Sequence, residues 1–139
     1  MRLNYVGDWI EQNGALYVKV GNMNSVASEL AVALHELVEA LLCVRDGVPE
    51  WDVSEYDRKW NEREAAGEKL AEEPGNEMDA PYHKQHESAL FVERAVCSAF
   101  GLPWSQHEEN IDAYFAKETA QECEGVGVVP PPEGNESKA

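Results

Sequence analysis

At 139 residues with 43% hydrophobic content, the chain is long enough for one domain with its own core and too short for several. Its 27 acidic and 11 basic residues give a formal net charge of −16, which argues against direct nucleic acid binding through a basic surface and points to basic or neutral partners. No apolar run is long enough to span a membrane, the N-terminus lacks the apolar core of a signal peptide, and three cysteines without CxxC spacing indicate neither a disulfide framework nor a zinc knuckle. A cytoplasmic protein with reduced thiols is expected.

The first signal along the chain is a hairpin. β-prone pieces at residues 3–6 and at Trp9-Ile10 precede Asn13-Gly14, the pair favoured in type I′ turns, and residues 15–20, ALYVKV, supply the returning strand. Gly21 breaks that strand, and Asn24 or Ser25 is placed to cap the next helix by accepting a hydrogen bond from its free amides.

That helix carries the most informative stretch. In residues 30–44, LAVALHELVEALLCV, only His35, Glu36 and Glu39 are not apolar, so the helix should be buried on nearly every side and end near Asp46-Gly47. A buried carboxylate costs several kcal/mol unless it is neutralised, paired or bound to metal. At about 100° per residue, His35 and Glu39 share a face and Glu36 lies about a quarter-turn away, a geometry suited to one metal ion. Cys43 extends the same row by a further turn, where apolar packing accounts for it equally well.

Residues 46–79 hold twelve acidic and four basic residues, so this segment alone is −8, half of the total. Val53, Tyr56 and Trp60 recur at helical spacing, and Ser54 with Asp57 resembles a capping box, so a surface helix over 54–72 is expected with its stripe against the central helix. Asp57 is either a further ligand or a first-turn acid favoured by the helix dipole.

Pro74-Gly75-Asn76 stops that helix and a third is expected over 81–100. On its wheel His86 falls in one apolar arc with Ala89, Leu90, Val96, Cys97 and Phe100; Glu93 lies in the same arc and His83 on its margin. Gly101 closes this helix, and a final amphipathic helix over 105–120 presents Ile111, Tyr114 and Phe115 as a lid on the core, with His107 assigned to its polar side and given no role. Residues 121–139, rich in proline, glycine and charge, are expected to form a flexible tail on a domain of residues 1–120.

His35-Glu36-Leu37-Val38-Glu39 resembles the HExxH helix of the zincin metallopeptidases, in which two histidines one turn apart bind zinc and the intervening glutamate is the general base. Glu39 stands where the second histidine would be, giving HExxE and keeping an oxygen ligand for zinc or another divalent transition metal. The resemblance implies a zincin-like α+β fold, a strand before the helix that lines a cleft, Glu36 as catalytic base and a peptide-like substrate. A wider resemblance, HELVEALLC, an acidic segment and then APYHKQHESALFVER, is to small uncharacterised phage and bacterial proteins, which implies a host cytoplasm if phage-encoded.

His35, Glu39 and His86 together form the His2Glu set of catalytic zinc sites, with Glu93 or His83 as fourth ligand or orienter. The metal-free alternative is a buried network in which Glu39 and Glu93 hydrogen-bond the two histidines. Two functions follow: a metal-dependent hydrolase of peptidase type, or a non-catalytic acidic protein with a structural metal or buried network that engages a basic protein partner, as an inhibitor or nucleic-acid mimic.

Overall fold

The computed structural model describes residues 5–124 and has an α+β architecture, mostly helical with one small antiparallel hairpin. Strands β1 (Gly7–Gln12) and β2 (Ala15–Val20) pair from Gly7↔Val20 to Gln12↔Ala15. Asn13 and Gly14 join them with φ of 54° and 75°, the two left-handed residues that a type I′ turn requires. The first strand begins later than the 3–6 piece suggested; residues 3 and 4 lie outside the described residues, and Tyr5 and Val6 precede the strand.

Helix α1 (Val26–Asp46) is capped by Ser25, whose Oγ accepts from the Ser28 amide at 3.2 Å, and ends at Gly47 in the left-handed conformation. It is not buried all round. Its inward side carries Ser28, Ala31, Val32, His35, Glu39, Ala40 and Cys43, whereas Val26, Leu30, Leu41 and Val44 stay exposed on the opposite side. A helix apolar on every side has no periodicity to say which side faces the core. Here the buried polar groups mark the inward face.

Helix α2 (Glu50–Ala65) starts four residues earlier than expected and stops before Gly67, which takes a φ of 86°. Pro49 precedes its first turn, where Glu50 and Asp52 complement the helix dipole, so Ser54 and Asp57 lie inside the helix and form no capping box. Val53 and Trp60 are buried, and Val53 joins Trp9, Ala40, Cys43, Ala80 and Tyr82 in the apolar core. Cys43 is a packing residue of that core.

A short 3-10 turn (Pro74–Asn76) leads to α3 (His83–Ala99), which packs antiparallel to α1, and α4 (Trp104–Glu124) follows. Phe100, expected in the apolar arc of α3, is 56% exposed because it falls at the helix C-cap, next to the left-handed Gly101. Helix α4 runs four residues past the expected domain boundary at 120; the expected tail beyond 124 lies outside the described residues. The β2–α1 loop touches α4 at Gly21, where any Cβ would overlap the Tyr114 ring. No helix among the described residues is long and apolar enough to cross a membrane.

Candidate metal centre

The antiparallel packing of α1 on α3 brings together His35, Glu39 and His86, all more than nine-tenths buried, with one donor atom of each within 4.8 Å of the others. Glu39 is the hub. Its Oε2 lies 3.2 Å from His35 Nε2 and 3.0 Å from His86 Nδ1, while its Oε1 accepts a hydrogen bond from the Trp9 indole at 3.1 Å. Trp9 thereby holds the carboxylate so that one oxygen alone faces both imidazoles.

The outer nitrogens of the two rings meet other acceptors. His86 Nε2 lies 3.0 Å from Asn76 Oδ1 and 3.2 Å from Glu73 Oε2, so it carries a proton. His35 Nδ1 lies 2.7 Å from Glu93 Oε1, a charge-assisted contact bent away from the in-line hydrogen-bond direction. With the outer nitrogens protonated, the inner ones and Glu39 Oε2 form a junction of three electron pairs that must be filled by protons or by a cation.

The titration behaviour has the same origin. Burial opposes charge on His35, but the Glu39 and Glu93 carboxylates outweigh it and raise the imidazole well above its ordinary value. For His86, burial is likewise outweighed by Glu39 and Glu73, which bring it up to about 9. Burial would raise Glu39, yet hydrogen bonds from His35 and His86 hold it well below the usual carboxylate range. Glu93 is similarly brought to about 2 by His107 and His35 against burial.

The donor set fits a divalent transition metal. Zinc bonds of about 2.0–2.2 Å in tetrahedral geometry separate neighbouring ligand atoms by roughly 3.3 Å, close to the 3.2 and 3.0 Å spacings around Glu39 Oε2. Outer-nitrogen contacts to carboxylates are the usual supports of metal-binding imidazoles.

A cavity of about 80 Å³ opens onto these residues, and Glu36, Asp57, Glu73, Tyr82 and Phe115 line it with them. It has room for an ion and a few waters, each of about 30 Å³ in the liquid. Glu36 lies on its wall against Gly7 of β1, where a Cβ would come within 2.9 Å of Glu36 Cγ and 2.5 Å of Val32 Cγ1. Gly75 likewise allows the 3-10 turn to rest on His86, since a Cβ there would lie 2.6 Å from His86 Nδ1.

The other residues singled out from the sequence fall in different places. Glu93 touches His35 and stands outside the three-residue set. His83 also stands outside it: Nδ1 meets the Gly75 carbonyl at 2.9 Å and Nε2 meets Glu87 at 3.2 Å, so it pins the turn that borders His86. Asp57 is a buried mid-helix acid that accepts the Tyr82 hydroxyl and lines the cavity, which corrects its reading as a first-turn acid. His107 is the largest correction. It is fully buried, with Nε2 2.6 Å from Glu93 Oε2 and Nδ1 2.9 Å from Ser28 Oγ. Its spacing to Ile111 and Tyr114 (i+4, i+7) puts it on the inward face of α4, a signal present in the sequence.

The outer edge of β1 offers limited room for a peptide. The Gly21 amide bonds the Val6 carbonyl, so the register turns the amides of Gly7, Trp9 and Glu11 to the outer edge of β1. Trp9 N donates to Asp8 Oδ1 at 2.8 Å and Glu11 N to Glu50 Oε2 at 3.3 Å, which leaves strand-type pairing along β1 to its Gly7 end, beside Glu36. Two larger grooves, of about 540 and 620 Å³, share Glu73 and Phe115 with the site cavity. No protein-family model, curated protein or solved structure matches the chain.

Proposed function

We propose that the protein binds one divalent transition metal ion, zinc in the first instance, through His35, Glu39 and His86, and that it is a zincin-like hydrolase with Glu36 as general base. The observation that carries this reading is the meeting of both imidazoles on Glu39 Oε2, at 3.2 and 3.0 Å, with their outer nitrogens against other polar groups. When bound, the ion supplies Lewis acidity, polarising a carbonyl and making water more acidic. Glu36 faces the same cavity and takes the proton from the attacking water. Trp9 keeps Glu39 to one coordinating oxygen, and Glu93 and Asn76 fix the two ring orientations.

The substrate is a peptide-like molecule with a basic character. Glu64, Glu72, Glu73, Glu93, Glu108 and Asp112 line the two adjoining grooves, against one cation among the described residues, Arg94. The test is elemental analysis of protein purified without a metal-binding tag, followed by hydrolysis assays on Lys- and Arg-rich peptides. One equivalent of metal that His86→Ala abolishes supports the centre; no metal under replete conditions removes it.

A second reading is favoured by the carboxylates on the outer amides of β1. In it the same residues clamp α1 to α3 without catalysis, and the acidic surface engages a basic protein partner. Metal without turnover of any peptide supports that reading.

A further inference from the structure

Four residues on α1 and α4 form a directional hydrogen-bond chain that ends behind His35. Gln106 Nε2 donates to Asn110 Oδ1 at 3.0 Å, so the Asn110 amide nitrogen is turned to Ser28, where Nδ2 donates to Oγ at 2.9 Å. An amide N–H2 can only donate. The Ser28 hydroxyl, fully buried, has its own proton to give to its other neighbour, His107 Nδ1, at 2.9 Å. His107 then carries its proton on Nε2 and donates to Glu93 Oε2 at 2.6 Å. The remaining Glu93 oxygen faces His35 Nδ1 at 2.7 Å.

We infer that Asn110, Ser28 and His107 are positioning residues for His35: their hydrogen-bond chain holds Glu93 by one oxygen, so that its other oxygen stands against His35 Nδ1 and the Nε2 side of that ring is turned to Glu39 and His86. The inference rests on the metal-centre reading for its functional meaning and on hydrogen-bond chemistry alone for its geometry. With one oxygen hydrogen-bonded by His107 Nε2 and the other in ion-pair contact with His35 Nδ1, Glu93 is held more firmly than a solvent-facing acid would be. None of the three residues belongs to the three-residue set itself.

The test reads the tautomer directly, by long-range proton–nitrogen correlation spectra of the imidazoles in the full chain with no metal added. His107 is expected to show an acceptor-type Nδ1 and a protonated Nε2. Asn110→Asp replaces the donor by an acceptor of the same shape; the Ser28 hydroxyl should turn to it and His107 Nδ1 should become protonated. Asn110 is only partly buried, so the variant keeps the fold and fully buried His107 need not be removed. Zinc affinity, read by chelator competition, should fall about tenfold in the variant. A protonated Nδ1 on His107 in the unmodified protein, or a tautomer that ignores Asn110→Asp, overturns the inference. The expected tautomers in a protein that takes up no zinc uphold the chain and overturn only the metal centre.

Discussion

The Trp9 indole donates to Glu39 Oε1 at 3.1 Å across thirty residues of sequence, so a strand sets which oxygen of a helix carboxylate faces the two histidines. Trp9 is 2% exposed and also belongs to the apolar core, and its ring is held by packing independent of the site. Trp9→Phe keeps most of that packing and removes the donor. Hydrogen bonds to charged groups are worth about 1.5–3 kcal/mol, so urea denaturation should show a loss of about that size. Zinc affinity should fall by about tenfold, since Glu39 is then free to rotate.

Proton and metal compete for the same junction, and this sets a pH dependence. His86 is raised from 6.5 to about 9, so its contribution to stability is fully present below about pH 6.5 and is lost as pH rises through 9; His35 acts in the same direction. Glu93 is lowered from 4.5 to about 2, so its contribution is present above about pH 4.5 and is lost as pH falls through 2. Without metal the urea midpoint should be highest between about pH 4.5 and 6.5 and decline toward pH 9. Saturating zinc should remove the alkaline decline, and binding at pH 7 should release about two protons, measured by calorimetry in buffers of different ionisation enthalpy.

Gly75 tests the seating of His86. Gly75→Ala forces the ring or the 3-10 turn to shift, because the added carbon overlaps the imidazole at several atoms. Overpacking of this kind costs about 1–3 kcal/mol, and the melting temperature should fall accordingly. Displacing His86 should weaken zinc binding more than Gly47→Ala does, since Gly47 has open space beside it and is strained only by its φ of 71°. Equal effects on zinc would show that His86 position is immaterial to binding.

Much of this arrangement was legible along the chain, for reasons of local chemistry. Asn13-Gly14 specifies the hairpin because few other pairs take two left-handed conformations, and the i, i+4 spacing places His35 and Glu39 on one face of any helix. His86 was legible from its apolar arc. Contacts between distant elements were not. The Trp9 bond to Glu39 and the approach of Glu73 and Asn76 to His86 depend on how a strand and a turn meet two helices, which no spacing encodes. The start of α2 was misread because Ser54 and Asp57 imitate a cap, while Pro49 and the first-turn acids begin the helix earlier. His107 was misread for its polarity, although its spacing to Ile111 and Tyr114 is that of a core position.

Glu36 separates catalysis from a purely structural centre. It is half-buried, lies against Gly7 and shares the cavity wall with His35, Glu39 and His86, yet it stands outside the three-residue set. Glu36→Gln preserves shape and removes the basic oxygen, so the variant should stay folded and keep one equivalent of zinc, read by urea denaturation and elemental analysis. General-base contributions are about 10²–10⁴-fold, and hydrolysis of a basic peptide should fall by a factor in that range. His35→Ala should abolish both metal and turnover, which distinguishes loss of the centre from loss of the base. A Glu36→Gln protein that keeps its zinc and hydrolyses at the full rate would show that another group takes the proton, and Asp57, on the same cavity wall, is then the residue to replace.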